Sequence, residues 1–230
     1  MRKNSRKIVT IVLVLAMLLG LCGCGGGDAV SVYVSIAVAG EAQLAVEKVS
    51  VCDLDKDGAL TLNDALLAVH KKYAANKAKD FASEDQGYGL AITKLWGDES
   101  GSYGYYLNNE SVANLEAEIK AGDYIYAYSY SDLDAWSDSY TYFDKYIVNT
   151  DGGELTLQLF RAGYDESWNP VSAPYAGASV LVNGLNIGQT DSEGKISFSA
   201  AVSGRGGVVV MAEAADGDTI VPALCLLVAE

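Results

Sequence analysis

A single histidine, His70, and four cysteines leave this 230-residue chain poorly supplied for metal–thiolate or nucleophile–base chemistry. Cys22 and Cys24 fall in an apolar leader, and Cys52 and Cys225 with one histidine cannot assemble a zinc site at these spacings. The two remaining thiols lie in apolar, strand-like runs, where a bridge and a pair of buried thiols both fit the pattern. No Gly-x-Ser-x-Gly elbow, phosphate loop or dinucleotide fingerprint occurs. His70 sits in a helix-like run without a partner motif, so it is expected as a partly exposed helix residue rather than a general base. Carboxylates are so abundant that proximity alone singles out no glycosidase pair. Positive charge is scarce too, with 16 Lys+Arg against 30 Asp+Glu. Four of the 16 precede Cys24, so the rest of the chain carries 12 against 30, formally −18. Such a surface repels nucleic acid and anionic headgroups, and no nucleic-acid partner is expected.

What is present begins with an export signal. The segment MRKNSRK is basic, and IVTIVLVLAMLLGL gives an apolar run of signal-peptide length. It ends in Leu21-Cys22-Gly23-Cys24, which resembles a bacterial lipobox. The resemblance implies a signal peptide over 1–23, acylation of Cys24, and membrane attachment through the N-terminal lipid on the extracellular face. An ordinary cleaved signal and an uncleaved anchor are the alternatives. Residues 24–29 then read as the acylated cysteine and a glycine-rich tether. About 200 residues remain, enough for one or two small domains.

Periodicity organises that remainder. AVSVYVSIAV alternates apolar residues, and QLAVEKVSV resumes after AGEA, which predicts a β-hairpin. Leu62, Ala65, Leu66, Val69 and Tyr73 recur at helical spacing, with Lys71 and Lys72 facing outward. ASEDQGYG reads as an interruption, and LAITKLW, YGYYLNN and DYIYAYSYS read as strands. From Leu155 onward, short strands alternate with turns, which predicts a small antiparallel sandwich, with the boundary at NTDGG near residue 148. The expected fold is therefore an α+β, β-grasp-like domain with one main helix over 30–147 and an all-β antiparallel sandwich over 148–230.

The chemistry concentrates in CDLDKDGALTLNDALL. Counted from Asp53, a calcium loop would take carboxylates from Asp53, Asp55 and Asp57, its sharp turn from Gly58, a carbonyl from Ala59, an oxygen from Thr61 and closure from Asp64. Alternating oxygen donors let one loop wrap a hard cation at about 2.3 to 2.6 Å, a geometry that favours calcium over magnesium. Aspartate replaces the usual glutamate at the closing position, and no second loop follows. The alternative is an acidic turn with Asp64 capping the helix. The stretch resembles half a dockerin, which implies weak extracellular calcium affinity, about 10⁻⁴ to 10⁻³ M.

GYGLAITKLWG, YGYYLNN and IKAGDYIYAYSY, preceded by a hairpin and a helix, are similar to a surface-protein domain related to the carboxy-terminal domain of transcobalamin and intrinsic factor. That resemblance covers about residues 30–146 and implies the β-grasp-like fold. Tyr105 or Tyr106 stands where that family carries tryptophan, and cobalamin binding does not follow from the likeness.

Tyr124, Tyr126 and Tyr128 alternate along one strand face. With Tyr105, Tyr106, Asn108 and Trp136 they form a possible ligand face if open, or core if the helix covers them. DLDAWSDSYTYFD is expected as an acidic, aromatic loop. GASVLVNGLNIGQTDSEGKISFSA resembles carboxypeptidase regulatory-like and bacterial immunoglobulin-like modules, with Asp191 and Gly194 defining a hairpin. These features together predict a calcium-stabilised, non-catalytic binding or adhesion module facing an extracellular ligand or protein. Competing readings are a carrier of a small ligand, cobalamin-like or carbohydrate, on the tyrosine face, and a secreted hydrolase.

Overall fold

The computed structural model describes residues 29–202 and 207–230. The leader over 1–23, Cys24 and nearly all of the tether lie outside the described residues. Among the described residues, no helix is long and apolar enough to cross a membrane.

The opening hairpin joins β1 (Val30–Val38) to β2 (Glu41–Val51) through Ala39 and Gly40. Both turn residues have positive φ, +48° and +79°, the backbone twist that a two-residue hairpin requires. The loop and α1 (Leu62–Tyr73) follow, and Leu62, Ala65, Leu66 and Val69 are fully buried as their spacing requires. Lys71 and Lys72 are exposed. A 3-10 turn at Lys77–Asp80 leads into the hairpin of β3 (Phe81–Asp85) and β4 (Leu90–Leu95), so part of the expected interruption is strand. Then come β5 (Tyr103–Leu107), β6 (Glu110–Ser111) and β7 (Tyr124–Ser129).

The first sheet has the order β2-β1-β7-β5-β6, with β1 and β7 parallel and the other pairs antiparallel. Alternation gives it two apolar faces. Val32, Val34, Ile36, Ile125 and Ala127 point to the helix and share a core with Leu62, Leu66 and Val69. Tyr124, Tyr126 and Tyr128 point the other way.

The remaining strands are β8 (Ser139–Phe143), β9 (Ile147–Thr150), β10 (Glu154–Tyr164), β11 (Pro170–Pro174), β12 (Ser179–Val182), β13 (Leu185–Gln189), β14 (Lys195–Ser199), β15 (Val208–Glu213), β16 (Ile220–Val221) and β17 (Leu224–Ala229). They form one sheet ordered β11-β10-β8-β16, with β14 also on β10, and a second ordered β13-β12-β15-β17-β9. Leu157, Leu159 and Ile196 from the first meet Val180, Val210, Cys225 and Leu227 from the second in a common core. The described residues are thus mostly β, with one main helix.

Three details differ from the sequence expectation. The pairs β16–β8 and β17–β9 are parallel, so these sheets are mixed rather than purely antiparallel. The strand β8, expected as loop and lying before residue 148, pairs with β10 and β16, so the change of sheet falls between β7 and β8. Asp191 and Gly194 do form a tight turn, with the Gly194 amide on the Asp191 carbonyl at 2.9 Å. That turn carries the chain from β13, paired to β12, to β14, paired to β10, and is a corner between sheets rather than a hairpin.

Candidate metal centre

The loop between β2 and α1 is wound by its own aspartates. Asp53 accepts the Lys56 amide at 2.6 Å and the Gly58 amide at 3.1 Å. Asp57 accepts the Ala59 amide at 2.8 Å, and Asp55 accepts the side-chain amide of Asn63 at 2.8 Å. Gly58 has φ +94°, and a Cβ there would meet nothing within 4 Å, so backbone conformation rather than space demands glycine. This winding brings carboxylate oxygens of Asp53, Asp55 and Asp57 within 4.8 Å of one another, an arrangement able to hold a metal ion. Asp55 and Asp57 are exposed and Asp53 is half-buried. Among the described residues none of the three is in an ion pair with a lysine or arginine, so amide hydrogen bonds alone meet their charge.

Asp64, expected to close the site, is not in that group. As the third residue of α1 it accepts the Thr61 amide at 3.1 Å, the Thr61 hydroxyl at 3.2 Å and, from before the helix, the Leu54 amide at 2.6 Å. It is fully buried, and desolvation pushes its carboxyl above the usual range, opposed by the amides of Leu54 and Thr61. Thr61 is likewise buried, with its hydroxyl turned to Asp64. Asp64 therefore ties the loop's entry to the helix start.

The absent second loop has a structural substitute. Ile119 donates its amide to the Leu60 carbonyl at 2.9 Å, Leu62 donates to Ala117 at 3.0 Å and Asn63 to Leu115 at 3.1 Å. The segment LEAEI, through these bonds and the isolated bridge of Glu118 to Thr61, is the partner that fixes the loop's exit. Asn63, which sequence reasoning passed over, bridges two elements: its amide group donates to Asp55 and accepts the Ser83 hydroxyl at 2.7 Å. No loop position in the calcium pattern singles it out.

His70 is fully buried, not partly exposed. Its Nδ1 donates to the Leu66 carbonyl at 2.6 Å while Nε2 accepts the Trp96 amide at 3.1 Å, which fixes the neutral tautomer. The ring lies against Phe81 and Trp96. Burial lowers its pKa to about 4. Cys52 and Cys225 are both buried and are not joined to each other, and burial pushes the Cys225 thiol up to about 12.

The tyrosine face is closed. Tyr124, Tyr126 and Tyr128 are buried, and the cover is not the helix but the second unit, through Tyr140, Val209, Val221 and Leu224. Tyr106 stacks on Tyr140 at 3.7 Å, and Tyr124 stacks on Tyr146 at 4.7 Å. Tyr105 faces the other way, beside the helix core. Asn108 is a turn clamp, donating to Asp123 and accepting the Tyr124 amide, both at 2.9 Å. Of that expected face, Asn108 is exposed at its turn, and Trp136 is the one exposed ring, at 64%, on the loop before β8. The expected platform is therefore a seam between two units, and the alternation that placed its rings together carried no signal of what would cover them. Neither a protein-family model nor a curated protein matches this sequence.

Proposed function

We propose that this chain is a calcium-stabilised, non-catalytic binding module held to the extracellular face of a bacterial membrane by lipid on Cys24. The observation that carries the metal reading is the convergence of Asp53, Asp55 and Asp57 on a loop whose glycine at +94° makes the turn. Oxygen-only donors from carboxylates suit a hard cation, and the Ala59 carbonyl, just past Gly58, would be a fourth donor. Asp53, Asp55, Asp57 and Ala59 would hold the ion, whose charge would offset the three carboxylates. Asp64 and Thr61 would shape the loop from behind.

The order β2-β1-β7-β5-β6, with a parallel central pair and a helix on one face, favours the β-grasp-like reading of the first unit. Two sheets around one core favour a sandwich for the second. A carrier using the tyrosine face is disfavoured because those rings are buried, and a hydrolase because the one histidine is neutral and enclosed.

Thermal melting in calcium against melting in chelator tests the reading. With calcium a hundredfold above its Kd, the folded state gains about 2.7 kcal/mol. Asp53→Ala should melt alike in both conditions. Identical melting of the unaltered protein with and without calcium would refute the metal assignment.

A further inference from the structure

Two loops of the second unit are each clamped by an aspartate that leads to a tryptophan. In DLDAWSD, Asp132 accepts the amides of Asp134 and Ala135 at 3.1 and 3.0 Å, and its carbonyl takes the Trp136 amide at 3.0 Å. In DESWNP, Asp165 accepts the amides of Ser167 and Asn169 at 2.8 and 2.9 Å, and its carbonyl takes the Trp168 amide at 3.0 Å. Each tryptophan has positive φ, +51° for Trp136 and +63° for Trp168, a backbone state that bulky residues seldom adopt. Each is exposed, Trp168 to 81%. Left-handed backbone and a solvated indole are both unfavourable, and the clamps hold both in place.

The register brings the two loops to the same end of one sheet. In β8 and β10, Leu159 pairs with Phe143 and Arg161 with Thr141, so residues 162–164 run on toward the segment before β8, which carries Trp136. Tyr164, 56% exposed, ends β10 with its ring 6.1 Å from that of Trp168, tilted by 46°. Each loop also carries an exposed acid, Asp134 in one and Glu166 in the other, whose carboxylates have no protein partner among the described residues.

We infer that Tyr164, Trp168 and Trp136 form a binding rim for a neutral polysaccharide, its pyranose faces lying on the rings and its hydroxyls donating to Asp134 and Glu166. Charge excludes anionic occupants. A chain of net charge −14, with acids flanking the rings, repels polyanions, resists burial among phospholipid headgroups and sets like charges against each other in self-association. A neutral glycan carries no such cost, offering apolar C–H faces to aromatic rings and hydroxyl donors to carboxylates. A tilted ring pair also suits a chain whose successive sugars rotate.

The inference rests on the binding-module reading and names its ligand class, but it does not involve the metal loop. Native electrophoresis of the purified protein in gels containing hydroxyethylcellulose, xylan, galactomannan or lichenan tests it. Retardation is expected in at least one gel, weakened about tenfold by Trp168→Ala and by Tyr164→Ala, and unchanged by Trp96→Phe. Retardation in none of the four gels would overturn it, as would retardation unaffected by the Tyr164/Trp168 double alanine variant. Binding to phosphatidylcholine vesicles that is lost in Trp168→Ala, or dimerisation lost in the same variant, would equally overturn it in favour of a membrane or a second copy. Calcium-dependent melting of the same samples separates this outcome from failure of the metal reading, and shows that each variant is folded.

Discussion

The hydroxyl of Tyr126, on β7 of the first unit, donates to the carbonyl of Pro222 in the second at 2.6 Å, and both residues are buried. This bond crosses the seam where the tyrosine face meets β8, β16 and β17. Tyr126→Phe keeps the ring and removes the donor, leaving the buried carbonyl without it. A loss of about 1 to 3 kcal/mol is expected in urea denaturation. Tyr126→Ala should cost about 3 to 5 kcal/mol, because it also opens a cavity in the seam. Both variants should unfold in one transition if the seam couples the units as tightly as its burial implies.

Gly104 lies directly opposite Tyr128 in the β5–β7 pair. A Cβ at Gly104 would fall 2.3 Å from the Tyr128 ring, which is itself 2% exposed and cannot swing aside. Gly104→Ala is therefore expected to destabilise by about 1 to 3 kcal/mol in the same assay. Gly58→Ala meets no atom, so its cost should be smaller, about 1 kcal/mol, arising from the left-handed backbone alone.

His70 makes the protein acid-sensitive. Its pKa is lowered from 6.5 to about 4 on folding, so the unfolded chain binds the extra proton between those values. The stabilisation is complete above pH 6.5 and is lost as pH falls toward 4, by roughly 3 kcal/mol over the window. Chemical denaturation at a series of pH values should show this decline. His70→Gln should flatten it, though at lower overall stability.

Local patterns were legible wherever one residue's neighbours decide its state. The helical spacing of Leu62, Leu66 and Val69 located α1 at Leu62–Tyr73, and alternation along β1 and β7 sorted their side chains onto two faces. The loop pattern brought Asp53, Asp55 and Asp57 together on the same grounds. What escaped depends on distant chain. Asp64 fits a ligand position and a helix cap equally well in sequence, and the Leu54 amide that holds it becomes visible only in the fold. Apart from Tyr140, the cover over Tyr126 comes from far later in the chain, with Pro222 lying 96 positions on, beyond any periodic signal. Short strands such as β9, β11 and β13 draw their stability from their partners rather than from their own four or five residues.

The central claim, an ion held by the acidic loop, is tested most directly by calorimetric titration of the purified protein with calcium. A single saturable site is expected, with Kd of about 10⁻⁴ to 10⁻³ M, weaker binding of magnesium and no binding in Asp53→Ala. Absence of heat at millimolar calcium, or equal binding in the Asp53→Ala variant, would contradict it.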